Sequence, residues 1–186
     1  PEALEAASRD ASLFRVTPEV VVYPKDAIDI EKLVAFVSEK KQIPKATISI
    51  TMRAAGTDMS GGPLNTSIIA DTTKHLNHVL EVSETSAITE PGVFFRDFDR
   101  ETKKKGVELP SYTASRELNT VGGMVGNNSG GEKNLKYGKT ARYVEELDVV
   151  LSDGKVHTLK KLAGEALEEK LAEQSFEGDL YRKVAA

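Results

Sequence analysis

Two stretches of this chain hold residue types and spacings suited to chemistry. The first is Arg53-Ala54-Ala55-Gly56-Thr57-Asp58-Met59-Ser60-Gly61-Gly62. Small residues at 54, 55, 56, 61 and 62 let the backbone approach a bulky anion closely. Successive amide N–H groups in such a turn form a concave nest of partial positive charge, and Thr57 and Ser60 add hydroxyl donors. The chemistry favoured is pyrophosphate binding through main-chain donors; a tight inter-strand loop whose glycines serve turns alone has the same composition. No Gly-Lys-Ser/Thr follows and the spacing Gly-x-Gly-x-x-Gly is missing, so this is neither a Walker loop nor a Rossmann fingerprint.

The second stretch is Pro110-Ser111-Tyr112-Thr113-Ala114-Ser115-Arg116-Glu117-Leu118-Asn119, continuing Thr120-Val121-Gly122-Gly123-Met124-Val125-Gly126-Asn127-Asn128-Ser129-Gly130-Gly131. Five glycines in residues 122–131 far exceed the usual share of about 7%. The backbone there either lies close to something or visits positive φ. Asn127, Asn128 and Ser129 offer amide and hydroxyl donors suited to the acceptor-rich edge of a heteroaromatic ring. A long loop of this kind inside a compact domain is uncommon unless it is functional.

The segments around these loops read as an α+β outline. Residues 1–17 form a polar lead-in with a short helix near Ala3–Ser8. Val20–Tyr23 is a β-branched strand closed by Pro24. Asp26 caps a helix from Ala27 to about Lys41, with Ile30, Leu33, Val34 and Val37 on one face. A β stretch spans Ala46–Met52. After the first loop come strands at Ser67–Asp71, Val79–Val82 and Ser86–Glu90. A helix then runs from Val93 to about Lys105 with Phe94, Phe95 and Phe98 on its core face, stopped by Gly106. Residues 107–140 lack periodicity. Val144–Leu151 and Val156–Leu159 flank Ser-Asp-Gly as a hairpin. A polar helix spans Leu162–Gln174, Gly178-Asp179 breaks it, and a last turn follows. The division expected is a lead-in (1–17), a small α/β lobe (18–72) and a larger antiparallel-sheet lobe with flanking helices (73–186).

Composition excludes several classes. The 186 residues carry 25 Lys+Arg against 29 Asp+Glu, a net charge of -4, and 39% are hydrophobic. That fits a folded globular chain and argues against a duplex nucleic-acid binder, which needs a basic face. With no cysteine, disulfides, thiolate metal sites and Cys nucleophiles are excluded. No apolar run approaches the ~18–20 residues of a membrane span, and the first residues are not a signal peptide. A start at Pro1 suggests a piece of a longer chain. His75 and His78 are spaced i, i+3 with no acidic third ligand nearby, so they read as surface or capping residues and no metal is assigned. Lys103–Lys105 offsets a helix dipole.

Taken together, the two loops, about 60 residues apart, resemble the FAD-binding (PCMH-type) domain of the vanillyl-alcohol oxidase superfamily. More narrowly they are similar to the branch of D-lactate dehydrogenases and the D-type subunit of glycolate oxidase. Asp10-Ala11-Ser12-Leu13-Phe14, Ile69-Ala70-Asp71-Thr72, Glu90-Pro91-Gly92-Val93, Lys136-Tyr137-Gly138-Lys139-Thr140 and Val149–Gly154 add to the likeness, which covers most of residues 10–160. It implies that the first loop wraps the FAD pyrophosphate and that the second lies along the flavin and ribityl portion. The cofactor-binding set so implied is Arg53, Ala54, Ala55, Gly56, Thr57, Asp58, Ser60 and Gly61 in the first loop. In the second it is Pro110, Ser111, Ser115, Thr120, Gly122, Gly123, Gly126, Asn127 and Gly130. The family usually has glycine where Ala54 and Ala55 stand. Some relatives attach flavin to a histidine; Thr57 holds that position here, so non-covalent FAD is expected.

The resemblance further implies a flavin-dependent oxidoreductase acting on the CH–OH group of a small 2-hydroxy acid such as D-lactate or glycolate. Family members continue into a final strand and a substrate-covering cap domain. Catalytic residues are expected there, so none is assigned in this chain, which by itself is expected to be inactive. A non-catalytic FAD- or nucleotide-binding module is the first alternative, and a flavin reductase of the cell-wall precursor type the second. The cytoplasm is the expected location, with attachment to a membrane surface through further parts as the alternative; no nucleic-acid partner is expected and the electron acceptor stays open.

Overall fold

The computed structural model describes residues 2–185; Pro1 and Ala186, the outer ends of the expected 1–17 and 73–186 spans, lie outside the described residues. Helix α1 (Glu2–Ala7) opens the chain, and β1 (Val20–Val22) follows. Helix α2 (Ala27–Lys40) starts where the Asp26 side chain accepts the Asp29 N–H at 2.9 Å, satisfying an otherwise orphaned first-turn amide. Val37 is buried on its inner face, and Ile30, Leu33 and Val34 are half-buried beside it. Strand β2 (Ile50–Arg53) begins later than the expected Ala46. Pro44 lacks an N–H, Lys45 turns at φ 66°, and the Ala46 N–H folds back onto the Ile43 carbonyl, so the chain cannot enter the ladder sooner.

Strand β3 (Ile68–Asp71) lies between the other two in the order β1-β3-β2, parallel to both. Its Ile68-Ile69-Ala70 run is fully buried, as a central parallel strand requires. All three strands therefore end on one edge of the sheet, and the first loop leaves from that edge as the crossover between β2 and β3.

Strands β4 (Val79–Val82) and β5 (Ala87–Thr89) pair antiparallel. Helix α3 (Phe95–Lys103) buries Phe95 and Phe98. Phe94 is not on that face as expected: it stands at the N-cap, joined to Thr120 by an isolated antiparallel bridge. Gly106, at φ 76°, ends the turn after α3, and its N–H reaches the Lys103 carbonyl. The region 107–140, expected to be loop, contains α4 (Val121–Gly126), α5 (Asn134–Tyr137) and the start of a 3-10 turn at Thr140–Tyr143. Val93, Phe95, Phe98 and Met124 form the core that joins α3 to α4, with Val79 and Ala87 of the hairpin packed on it.

Strands β6 (Glu146–Val150) and β7 (Val156–Lys160) form the expected hairpin, with Gly154 at φ 74° in its turn. The antiparallel strands of residues 73–186 fall into two separate two-stranded hairpins. The β6–β7 pair seats on α2: the Val156 N–H donates to Glu31 and the Ser38 hydroxyl to the Ser152 carbonyl. Helices α6 (Glu165–Ala172) and α7 (Phe176–Ala185) close the fold. Gly178 does not break a helix, as expected, but lies inside α7. A Cβ there would stand 2.2 Å from the Glu173 carbonyl oxygen, so the missing side chain lets α7 start tight against the end of α6. The architecture is mixed α and β, and no helix among the described residues is long and apolar enough to cross a membrane.

Candidate functional site

A cleft of about 750 Å³ lies at the carboxyl edge of the parallel sheet. Val21 and Tyr23 line it from the end of β1, Arg53 to Thr57 from the end of β2, and Asp71 and Thr73 from the end of β3. Open α/β sheets bind ligands in the crevice outside the carboxyl ends of their strands, and the volume is that of a small-molecule or cofactor site.

Arg53 forms the floor. The residue is 9% exposed, and its guanidinium donates to the Arg9 carbonyl at 2.7 Å and the Ala7 carbonyl at 3.5 Å. Burial pushes its pKa below the ordinary arginine value, while nearby Asp71 and Asp10 act to hold it up. Arg53 is thus used on main-chain carbonyls, and it ties the end of α1 to the wall of the cleft. The chain then passes over the guanidinium at Gly56, φ 68°; a Cβ there would come within 2.3 Å of Arg53 Nη2.

Among the described residues, the N–H groups of Ala54, Ala55, Gly56 and Thr57 have no hydrogen-bond acceptor. The two alanines do this without positive φ, so glycine is not needed at either position. Further along the turn a single carboxylate gathers several donors. The Asp58 carboxylate accepts the Ser60 hydroxyl at 2.6 Å, the Ser60 N–H at 3.1 Å and the Gly62 N–H at 2.9 Å. These bonds, the Ser60 hydroxyl foremost, hold its pKa below the usual carboxylate range. The Ser60 hydroxyl is therefore used within the loop. Gly61, at φ 85°, lies against the Phe14 ring.

The second loop meets the first. A Cβ on Gly123 would stand 3.3 Å from the Ala54 Cβ, and Ser115 and Leu118 line the cleft opposite Arg53 to Thr57. Thr120 is fully buried, and its hydroxyl oxygen caps α4 by accepting the Gly123 N–H at 3.1 Å. Gly122 presses on Pro91, whose carbonyl oxygen would be 2.6 Å from a Cβ there. None of the glycines at 122, 123, 126, 130 and 131 has positive φ; where they are crowded, the need is close approach. Gly130 abuts the Asn134 side chain, while Gly126 and Asn127 are exposed at the end of α4. Pro110 and Ser111 sit behind the wall; Ser111 is 1% exposed and its hydroxyl has no partner.

The structure therefore brings Arg53, Ala54, Ala55, Gly56, Thr57 and Ser115 to one cleft and sets Gly123 beside Ala54. Of the other candidates of the second loop, Thr120 and Gly122 hold α4 in place, while Pro110, Ser111, Gly126, Asn127 and Gly130 do not line the cleft. Several lining residues are absent from the sequence-based set: Ala3, Ala6 and Ala7 of α1, Asp10, Tyr23 and Phe94. The alanine spacing in 3–7, one small face on a short helix, is the signal that marks them. Cations back both aromatic walls, with Lys74 4.5 Å from the Tyr23 ring centre and Arg96 4.4 Å from that of Phe94. The histidines lie elsewhere: His78 pairs with Glu90 at 2.7 Å, and His157 with Asp153 and Glu177. Four free amides in sequence and small flanking residues over a buried guanidinium fit a diphosphate held by the main chain.

Comparison with known proteins agrees with this chemistry. A family model described as an FAD binding domain matches residues 18–160. The glycolate oxidase subunit GlcD of Bacillus subtilis is 33% identical over 147 residues, covering 77% of this chain and 30% of that protein. A D-lactate dehydrogenase of Archaeoglobus fulgidus is 32% identical over 155 residues, 80% of this chain and 33% of that protein. The chain thus spans about a third of the length of these relatives. Among solved structures, an alkyldihydroxyacetonephosphate synthase superposes with a TM-score of 0.69 at 23% identity, covering 85% of this chain and 32% of the other. That likeness shows the fold.

Proposed function

The chain belongs to the FAD binding domain family, and from that premise we propose that it holds FAD non-covalently in the cleft at the sheet edge, as the cofactor-binding part of an oxidoreductase that acts on a 2-hydroxy acid. The observation that carries the reading is the row of acceptor-free amides from Ala54 to Thr57 at the carboxyl ends of three parallel strands. In this reading residues 18–72 supply the pyrophosphate side and residues 73–186 the ring side. Ala54 to Thr57 bind the diphosphate through N–H donors. Asp58 fixes the turn, Arg53 fixes its floor, and Ser115 and Gly123 set the distance to the opposite wall. When bound, the flavin supplies the hydride-accepting chemistry, and the protein places and tunes it.

The substrate class comes from the relatives, which are named for glycolate and D-lactate. The absence of histidine at Thr57 and of cysteine anywhere supports a non-covalent cofactor. The setting that goes with this reading is the cytoplasm. The test is spectroscopic. The chain mixed with FAD is expected to gain thermal stability and to release all flavin on acid precipitation. Flavin retained by the precipitate contradicts non-covalent binding, and no stabilisation by FAD contradicts the whole reading. In a longer protein that carries this domain, D-lactate or glycolate is expected to bleach the bound flavin; a colour unchanged by any 2-hydroxy acid contradicts the substrate class.

A further inference from the structure

At the carboxyl edge of the parallel sheet, three neighbouring strands end in three kinds of chemistry. Val22 pairs with Ala70 and Arg53 with Asp71, so Tyr23, Asp71 and Arg53 stand at one level at the ends of β1, β3 and β2. All three line the cleft. With adjacent strands about 4.8 Å apart, an aromatic ring, a carboxylate and the start of the amide row Ala54 to Thr57 follow one another along the edge. The carboxylate is the informative group. Asp71 Oδ1 accepts the Thr73 N–H at 2.8 Å and the Thr73 hydroxyl at 2.7 Å, which holds the side chain in place. Asp71 Oδ2 has no donor among the described residues and is not buried. A carboxylate repels a phosphate set against it, so a diphosphate is confined to the amides on the β2 side, and the group that meets Asp71 has to be a donor. A sugar hydroxyl next to the diphosphate is such a donor. Beyond it the Tyr23 ring gives a base a flat surface to stack on. On the other side, past Ala54, stands the second loop with Gly123.

We propose that the dinucleotide lies along the sheet edge with one polarity: its adenosine end crosses β3 and β1, the ribose hydroxyls donating to Asp71 and the base lying against Tyr23, and its flavin end runs past Ala54 toward the second loop. The inference rests on the FAD reading of the cleft and deepens it. Asp71 becomes the residue that selects a ribose with free hydroxyls and rejects a phosphorylated one, since a phosphate there would face a carboxylate that no salt bridge among the described residues neutralises.

Calorimetric binding to the 186-residue chain tests this with four probes: FAD, ADP, dideoxy-ADP lacking the ribose hydroxyls, and ADP phosphorylated on a ribose hydroxyl. The parent chain is expected to bind ADP at least about tenfold more tightly than dideoxy-ADP, the worth of a hydrogen bond to a charged group. In Asp71→Ala the two are expected to come within about twofold of each other. A merely structural role for Asp71 weakens both alike and leaves their ratio unchanged, which overturns the proposal. Asp71→Asn keeps a side-chain oxygen for Thr73, so it serves where Asp71→Ala does not fold. In it the preference for ADP over the phosphorylated probe is expected to fall at least about tenfold as the like-charge repulsion goes; an unchanged preference overturns the proposal. Tyr23→Leu is expected to weaken ADP at least about fivefold through lost stacking, and an unmoved ADP affinity overturns the base end. If Asp71→Ala weakens FAD but not ADP, the ribityl chain meets Asp71 and the polarity is overturned. A parent chain that binds FAD but not ADP overturns the polarity and leaves the FAD reading standing. One that binds ADP but not FAD overturns the FAD reading and leaves the nucleoside end standing, and one that binds neither overturns both.

Discussion

At Gly56 one backbone angle and one buried cation depend on each other. The positive φ and the guanidinium beneath it leave no room for a side chain. Gly56→Val is expected to lower stability by about 1–3 kcal/mol through backbone strain alone, read from urea unfolding, and to abolish FAD binding; normal binding would contradict the nest. Ala55→Gly is the control: Ala55 has no positive φ, so FAD affinity is expected to stay within about twofold, while added backbone entropy costs about 0.5–1 kcal/mol. Arg53→Met removes the donor to the Ala7 and Arg9 carbonyls and is expected to cost about 1.5–3 kcal/mol. The small-residue turn between β2 and β3 was legible from composition between two strand-like runs. The role of Arg53 was not, because its carbonyl partners lie more than forty residues away, in the polar lead-in.

Among the elements, α4 shows where local reading reaches its limit. Three of its six residues are glycine, each costing about 1 kcal/mol in a helix, so propensity points to loop. Long-range contacts decide otherwise: the Thr120 cap, the Val121 N–H on the Val93 carbonyl and the Gly122 N–H on the Pro91 carbonyl. Gly178 escapes local reading for the same reason, since its neighbour, the Glu173 carbonyl, belongs to the end of another helix. By contrast α2 and the β6–β7 hairpin carry their own caps, periodicity and turn glycine, and both were legible. Met124, 1% exposed at the α3–α4 contact, tests the packing. Met124→Ala is expected to cost about 2–5 kcal/mol by chemical denaturation, and to weaken FAD binding because α4 carries Gly123 to Ala54. A loss below about 1 kcal/mol would show that this core does not hold the element.

Over the whole molecule, a titratable clasp joins the hairpin to the C-terminal helices. His157 on β7 faces Asp153 at 2.9 Å and Glu177 of α7 at 3.3 Å, and Lys170 of α6 reaches Glu177 at 3.3 Å. Asp153, ahead of Glu177, raises the His157 pKa despite opposing burial. A raised folded-state pKa means that the contribution to stability is complete below the unfolded value of about 6.5 and is lost as pH rises through the higher folded value. Burial pushes Asp153 up, but its bonds to His157 and the Lys155 N–H outweigh that and leave it lowered, so its contribution is lost in acid instead. The hairpin-to-α7 contact is therefore expected to weaken above neutral pH, seen as lower amide protection factors in α7 once the intrinsic pH dependence of exchange is divided out, and His157→Gln is expected to remove that loss. Unchanged protection factors in the parent chain from pH 6 to 9 would contradict the clasp. The facing of the two glycine-bearing loops could be anticipated from their order and composition; the share of the cleft built by α1 could not, since nothing local says where a terminal helix docks. The most direct measurement is an amide-resolved NMR titration of the chain with FAD. The N–H signals of Ala54 to Thr57 and those of Ser115 and Gly123 are expected to shift together with one apparent Kd. Shifts confined to one loop, or lying away from both, would contradict the claim that the two loops enclose a single dinucleotide.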